Sequence, residues 1–444
     1  MIGGSLSRAV RSTRGSSALG CQRQFRTHSQ APVGSGIITS TPSAALLSPR
    51  LRKSPFYERT LAAGATDFTS YNRMLMPLGY GDPTKEYEAL TKGVAIWDVA
   101  AERQVEIRGR DAFELAQLCT CRDLTNVKAN ICAYAVMCDD DGVVINDPVL
   151  LKLADDHFWL SIADSDVLLW AKALAWARGM DVSLREPDVS PLAVQGPKSI
   201  DLVTDLFGAD VVDPIKYFHF RRGKDTVLDG DIPITLARSG WSPEDGFELY
   251  LEDCSKGARL WDIVMEAGEK YGITPGAPNQ QRRVEAGMLS FGGDTLAGTN
   301  ALELGLPKRM CDPFMKPDFV GKEALQRIAH REGGSRRAFT GIQFDIDAAF
   351  GATDWSGQHL PVYVEGTDNK LGYMTAFTHS PRFQRHLGLG FITKKVAAGT
   401  RVEVRGASGA AVFGGVTSKL PFKGWNEEPA GRGTTHAAEG EQAA

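Results

Sequence analysis

A carboxylate at the start of a predicted strand is the first candidate for chemistry in this 444-residue chain. Residues 238–248 read RSGWSPEDGFE, in which Asp245-Gly246 is a turn dipeptide and Glu248 stands at the start of the predicted strand. One carboxylate can accept two neighbouring N–H donors with charge-assisted strength, and a pterin ring presents such a pair. Glu248 is therefore a candidate for binding a pterin, although a glutamate at a strand start is more often solvated.

The elements around this segment alternate between strands and helices. Residues 104–107 alternate like a strand, a helix is predicted from Asp111, and the apolar runs 148–153 and 158–162 predict a hairpin. A helix over 166–178 is ended by Gly179. Hairpins in place of regular crossovers predict an α+β fold with antiparallel sheets and disfavour a doubly wound parallel sheet.

The carboxyl-terminal part has a different pattern. After a polar stretch around 332–337, short apolar runs at 340–344, 371–376, 388–392, 401–404 and 411–416 are separated by Gly, Asn and Pro. This pattern predicts a small β-barrel or sandwich. We therefore expect a large domain over 54–332, a β-barrel domain over 338–425 and a disordered tail over 426–444.

Several motifs in the same order resemble the glycine-cleavage T-protein, or aminomethyltransferase, family. Residues 238–248 resemble its R-T-G-Y-T-G-E-D-G-F-E signature, and VQGP at 194–197, RVEAG at 283–287, KPDFVGK at 316–322 and SKLPF at 418–422 follow the family order. The resemblance covers almost all of the chain after residue 54. It implies a folate-dependent one-carbon transferase that uses tetrahydrofolate, with Glu248 binding the pterin.

The resemblance also assigns a role to Asp147. Residues 141–149, DGVVINDPV, resemble the family's G-G-I-x-D-D loop, whose second acid corresponds to Asp147. In the family this acid lies beside the reacting edge of the folate, where a carboxylate can take a proton or stabilise positive charge. Read alone, Asp147 is as easily a turn residue bonded to its own backbone. The same resemblance places Tyr134 and Trp241 among the cofactor-binding residues.

Departures from the family pattern concern the substrate. The family segment Asp-Val-Ser-His reads Asp98-Val99-Ala100-Ala101 here, and an arginine near the R-L-E-A-G run is replaced by Asn279. Together with residues 71–77 and 96–106, these changes are closer to the branch of dimethylsulfoniopropionate demethylases, which move a sulfonium methyl to tetrahydrofolate.

A sulfonium donor already carries an activated methyl group, so positioning donor and acceptor is the main catalytic requirement. Aromatic faces suit such a cation. We therefore predict that Tyr71, Trp97 and Asn279 bind the small-molecule methyl donor, and Trp241 also fits the aromatic wall. Ordinary burial in a core is the competing interpretation for each aromatic ring.

Two other functions of this family are alternatives. The first is the aminomethyltransferase of glycine cleavage, whose partner would be a lipoyl carrier protein. The loss of the Ser-His pair and of the arginine at 279 disfavours this function. The second is a non-catalytic folate-binding factor of iron–sulfur assembly, which usually has a K-G-C motif where this chain reads KPD at 316–318.

The first 57 residues contain no acid and eight basic residues, whereas the rest of the chain has 42 basic against 54 acidic residues. An Arg-rich, Ser-rich leader over 1–50 is typical of a transit peptide, so we predict a mitochondrial matrix protein. The acidic body argues against a nucleic-acid partner, and no apolar run is long enough to cross a bilayer.

The seven cysteines form no C-x-x-C pair and have no histidine at metal-ligand spacing, so we expect reduced thiols and no metal site.

Overall fold

A computed structural model describes residues 38–39, 50–315, 318–331, 334–346, 359–406 and 412–422. Nearly all of the predicted leader and the whole of the predicted tail lie outside these residues. No disulfide joins any two of the described cysteines, which are Cys119, Cys121, Cys132, Cys138, Cys254 and Cys311. Within the described residues, no helix is long and apolar enough to span a membrane.

The helices begin and end at the signals that the sequence carries. Asp82 caps one helix by accepting from Lys85 N at 3.0 Å, and Gly179 ends another in the left-handed conformation at φ 62°. The α-helices are α1 Tyr57–Ala62, α2 Pro83–Lys92, α3 Ala112–Cys119, α4 Val167–Arg178, α5 Ser199–Phe207, α6 Ala209–Val212, α7 Gly257–Gly268, α8 Gln280–Ala286 and α9 Lys322–His330.

Strands account for most of the remaining regular structure. They are β1 Ile38–Thr39, β2 Asp67–Tyr71, β3 Met74–Gly79, β4 Ala95–Asp98, β5 Gln104–Arg108, β6 Ile131–Tyr134, β7 Met137–Cys138, β8 Val144–Asn146, β9 Val149–Ala154, β10 His157–Ser161, β11 Ser183–Arg185, β12 Ser190–Gln195, β13 Phe220–Leu228, β14 Ile232–Ala237, β15 Gly246–Leu251, β16 Thr274–Gly276, β17 Arg337–Phe344, β18 Leu360–Val364, β19 Lys370–Ser380, β20 Arg385–Thr393, β21 Arg401–Arg405 and β22 Val412–Ser418.

Two sheets form the centre of the large domain. One has the order β11-β5-β10-β9-β6 and the other β13-β14-β15-β12-β4-β16. Their ladders are antiparallel except for β16 beside β4, so the predicted α+β fold with antiparallel sheets is confirmed. Cys132, Leu151 and Trp159 of the first sheet share one buried cluster with Ala237 and Tyr250 of the second, so the two sheets pack face to face.

Helices cover the outer face of each sheet. Leu202 and Val203 of α5 and Leu260 and Val264 of α7 pack into the core of the six-stranded sheet. Residues of α3 and α4 do the same for the five-stranded sheet. Apolar side chains of the helices cover the outer face of each sheet. The polar side chains that point between the two sheets are therefore the ones available for a site.

The carboxyl-terminal strands close a barrel in the order β17-β20-β19-β18-β21-β22, which confirms the predicted barrel. Each of the five apolar runs lies in or overlaps one of these strands. The sequence analysis missed β18, in which Pro361 weakens the strand pattern because proline cannot donate to a ladder. The interior is filled by alternate apolar residues of all six strands, among them Ile342, Val362 and Val404.

Candidate functional site

Glu248 points into the space between the two sheets. In the six-stranded sheet Trp97, Ala193, Glu248 and Ala237 are directly opposite one another, so they share the face that packs on the other sheet. Tyr250, two residues further along β15, is on the same face. Glu248 is only 5% exposed, although glutamate is seldom buried without partners.

The carboxylate of Glu248 is held at one oxygen only. Oε2 accepts hydrogen bonds from the hydroxyl of Ser239 and from the hydroxyl of Tyr250, the latter at 3.0 Å. Among the described residues, no donor reaches Oε1. Burial raises the pKa of Glu248, and the two hydroxyls partly offset this by stabilising its charge. About half of the acceptor positions of the carboxylate therefore remain for a ligand.

The loop before β15 requires glycine at two positions. A Cβ on Gly240 or Gly246 would lie 2.2–2.5 Å from side-chain atoms of Gln195. That amide donates to Ser239 O at 3.1 Å and accepts from Ser242 Oγ at 2.8 Å, which fixes the loop beside Glu248. Asp245-Gly246 is thus the end of a longer connection from β14, not the tight two-residue hairpin turn that its sequence suggested.

Asp147 follows β8 and is hydrogen-bonded to Tyr134 of β6. The Tyr134 hydroxyl donates to Asp147 Oδ2 at 2.9 Å. Burial raises the pKa of Asp147 to about 7, against the lowering effect of the Tyr134 hydrogen bond, and the charge of Asp294 raises it further. A carboxylate that is about half ionised near neutral pH can act as a general base.

Asn146 fixes the backbone that carries Asp147. Its side chain is fully buried and uses both ends: Nδ2 donates to Ala163 O at 2.9 Å and to Ser165 Oγ at 2.8 Å. Its Oδ1 accepts from Ala163 N and Asp147 N, each at 3.0 Å. An aspartate, which the family pattern has at this position, cannot donate when ionised.

A third carboxylate, Glu102, belongs to the same site. Burial raises the pKa of Glu102 well above its ordinary value, and the charges of Glu248 and Asp147 raise it further. Glu102 is therefore within electrostatic reach of both acids, which places the two sequence-predicted carboxylates in one region. The sequence analysis missed Glu102, although it directly follows the alanine pair that departs from the family's Ser-His.

Tyr71 lies within electrostatic reach of this carboxylate group. Burial raises its pKa well above the ordinary value, and Glu102 and Asp147 contribute in the same direction. The turn after Tyr71 is fixed by Asn72, which has a positive φ of 49° and donates from Nδ2 to Ala101 O at 3.0 Å and to Ala163 O at 3.1 Å. A local turn thus fixes the backbone that carries Tyr71.

Trp241 is connected to Asp147 through two charged residues. The guanidinium of Arg283 lies 5.8 Å from the Trp241 ring centroid and pairs with Asp294 at 2.7 Å. Asp294 is the charge that raises the pKa of Asp147. Asp294 also accepts from Thr375 of the barrel at 2.7 Å, so the barrel helps to position this side of the site.

The remaining two predicted site residues have structural contacts. Trp97 is 2% exposed and packs with Leu90 and Ala193. Asn279 caps α8 by accepting from Arg282 N at 2.9 Å. Their predicted contact with substrate stays a prediction.

Two family models together match most of the chain. Residues 56–312 match the model of the GCVT N-terminal domain, and residues 338–422 match that of the glycine cleavage T-protein C-terminal barrel domain. Dimethylsulfoniopropionate demethylase DmdA of Ruegeria pomeroyi is 37% identical over 82% of this chain and 95% of that protein. An aminomethyltransferase of a Thermoanaerobacter species is 28% identical over 80% of this chain and 93% of that protein.

The fold agrees with these matches. The crystal structure of the glycine cleavage system aminomethyltransferase T from Bartonella henselae superposes with a TM-score of 0.71 at 20% identity, covering 84% of this chain and 98% of that one. Sheets, helices and barrel thus define a protein of the aminomethyltransferase class. The chain belongs to the glycine-cleavage T-protein family, whose members are folate-dependent one-carbon transferases with tetrahydrofolate as cofactor.

The described residues fit a reduced folate. Oε1 of Glu248 is open to the amino and ring N–H groups of a pterin. Beside it, Tyr217 is 40% exposed, yet burial and the charge of Glu248 raise its pKa to about 12. Tyr217 is thus within electrostatic reach of Glu248 and has part of its ring exposed. Glu248 and Tyr217 would thus hold the pterin end of the cofactor.

Proposed function

We propose that the chain transfers a methyl group from a small sulfonium compound of the dimethylsulfoniopropionate type to tetrahydrofolate. The observation that carries the proposal is the 37% identity to a demethylase over 95% of that protein, against 28% to an aminomethyltransferase. The losses of the Ser-His pair at 100–101 and of the arginine at 279 support the same choice.

The site chemistry supports methyl transfer without a covalent enzyme intermediate. Bound tetrahydrofolate supplies a nucleophilic amine nitrogen that accepts the methyl group. The carbon–sulfur bond of the donor breaks, and its electron pair remains on sulfur, which leaves as a neutral thioether. The amine proton that is released goes to Asp147, whose pKa of about 7 suits a base at neutral pH.

The charge of the site suits a cationic donor. Asp147, whose pKa is about 7, lies within electrostatic reach of Glu102 and of Tyr71. A sulfonium cation is attracted both to an aromatic face and to ionised carboxylates. We infer that Tyr71 contacts the donor and that Glu248 anchors the acceptor.

The leader is part of the proposal. Residues 1–50 contain basic residues and no acid, so we propose import into the mitochondrial matrix. A fusion of residues 1–57 to a fluorescent protein should enter mitochondria, whereas a version with its arginines replaced by glutamine should stay in the cytosol.

The activity is tested with the full chain, tetrahydrofolate and dimethylsulfoniopropionate. We expect equal amounts of methyl-tetrahydrofolate and methylthiopropionate, and loss of both with Glu248→Gln, which keeps the shape of the side chain but loses its charge. Arg327→Gln, on the exposed side of α9, is the matched control. Tetrahydrofolate binding without either product would refute the sulfonium donor. Methylene-tetrahydrofolate formed only with an aminomethylated lipoyl protein would establish the aminomethyltransferase instead.

A further inference from the structure

A buried arginine that has no acidic partner among the described residues lies next to the site. Arg122 follows α3 and is 5% exposed. The one hydrogen bond of its guanidinium to the described residues is from Nη1 to the carbonyl of Tyr134, at 3.4 Å. Arginine has five N–H donors and is almost never buried without a partner. Most of the donors of Arg122 therefore have no partner among the described residues.

Two other buried arginines show how this protein normally satisfies such a side chain. Arg282 pairs with Glu244 at 2.5 Å and with Glu285 at 2.8 Å. Arg283 pairs with Asp294 at 2.7 Å. Arg122 has no such ion pair in the described part of the chain.

Arg309 adds a second positive charge near Arg122. Burial lowers the pKa of Arg122, and the positive charge of Arg309 lowers it further. The adjacent acid, Asp123, accepts instead from the backbone N and the hydroxyl of Thr125, at 2.9 and 2.6 Å. Two guanidinium groups near one another, one of them buried, favour the binding of an anion, and the guanidinium plane matches a carboxylate in a bidentate arrangement.

We propose that Arg122, assisted by Arg309, binds the carboxylates of the glutamate tail of the folate. Tyr134 connects the two regions, because its backbone carbonyl accepts from Arg122 while its hydroxyl donates to Asp147. Arg122 is thus separated from the proposed base by the length of a tyrosine. A folate has a similar arrangement, since an aminobenzoyl group separates its reacting nitrogens from its glutamate.

The carboxylate of the methyl donor is the other source of the same chemistry, and distance disfavours it. In dimethylsulfoniopropionate only two methylene groups separate the sulfonium from the carboxylate. The whole length of Tyr134 lies between Arg122 and Asp147, because its carbonyl accepts from Arg122 and its hydroxyl donates to Asp147. So short a donor does not span this length when its sulfonium lies at Asp147. The inference rests on the folate cofactor of the family and is independent of the proposed donor.

The test is equilibrium binding to the full chain in the absence of any methyl donor, measured by calorimetry. The ligands are tetrahydrofolate, its triglutamate form and 6-methyltetrahydropterin, which lacks the aminobenzoylglutamate. We expect Arg122→Gln to weaken tetrahydrofolate binding at least tenfold and to leave 6-methyltetrahydropterin within twofold of wild type. Arg122→Lys, which keeps the charge, should recover part of the loss.

Arg309→Gln is the second variant, because an exposed side chain can be replaced without risk to the fold. It should weaken binding of the triglutamate about threefold and make it less sensitive to salt. Arg327→Gln should change nothing. The proposal is overturned if Arg122→Gln weakens both ligands equally, or neither. The proposal is also overturned if Arg122→Gln keeps the affinity for folate but raises KM for dimethylsulfoniopropionate and not for trimethylsulfonium. Trimethylsulfonium has no carboxylate, so this result would place the carboxylate of the donor at Arg122.

Discussion

Replacement of Tyr134 by phenylalanine tests the proposed base directly. The Tyr134 hydroxyl donates to Asp147 Oδ2 at 2.9 Å and thereby favours the ionised carboxylate. A hydrogen bond to a charged group contributes about 1.5–3 kcal/mol, and one pKa unit corresponds to about 1.4 kcal/mol. Tyr134→Phe should therefore move the pKa of Asp147 from about 7 upward by about one to two units.

The consequence for the rate follows from the ionised fraction. A base must be ionised, so the rate rises with pH through the pKa of the base. With a pKa near 7 about half of Asp147 is ionised at pH 7. After the shift that fraction falls to between about 10 and 1%, so kcat at pH 7 should fall about 5- to 50-fold and recover at higher pH.

The assay is the pH dependence of kcat from pH 5.5 to 9.5, measured with saturating donor and folate. Tyr271→Phe is the control, because that hydroxyl also donates to a carboxylate, that of Asp205, but on the protein surface. It should leave the profile unchanged. Two results would contradict this prediction: Tyr134→Phe lowers kcat equally at every pH, or it moves the pH at which kcat rises to a lower value. Either result would show that the Tyr134 hydroxyl does not set the pKa of the catalytic base.

Three further predictions concern the carboxylate group. Burial holds the pKa of Asp147 above its unfolded value, so ionisation of Asp147 lowers the stability of the folded state as pH rises from about 4 to 7. In a denaturant titration, Asp147→Asn should therefore raise the free energy of unfolding by a few kcal/mol at pH 8 and by little at pH 4. Asn146→Asp loses the two hydrogen bonds that Asn146 donates to Ala163 and Ser165, so it should lower kcat about tenfold and the free energy of unfolding by about 1–3 kcal/mol. An unchanged kcat would show that the geometry of Asp147 does not depend on these two hydrogen bonds. Because the protonated form of Glu102 is favoured, Glu102→Gln should keep KM for the donor within about threefold, and a tenfold increase would show that Glu102 binds the donor as an anion.

Local signals in the sequence were enough to predict many of the elements. Asp82 and Pro83 start α2 and Gly179 ends α4, because caps and a left-handed glycine act on the backbone nearest to them. The barrel strands were predicted from apolar runs between turn residues. The strand β18 was not predicted because Pro361 interrupts the strand pattern. It is a strand in the structure because it pairs with β19 on one side and with β21 on the other.

The sequence by itself determined the family, the general fold and two carboxylates, since ordered motifs around Glu248 and Asp147 can be read without coordinates. Only the tertiary structure decided that Glu102 joins them, that the Asn146 side chain fixes the turn at Asp147 through four hydrogen bonds, and that Arg122 is buried without an acidic partner among the described residues. The physical reason is that burial and electrostatic reach depend on which side chains two packed sheets bring together. Residues far apart in the chain, such as 102 and 248, act on each other only after the sheets have packed.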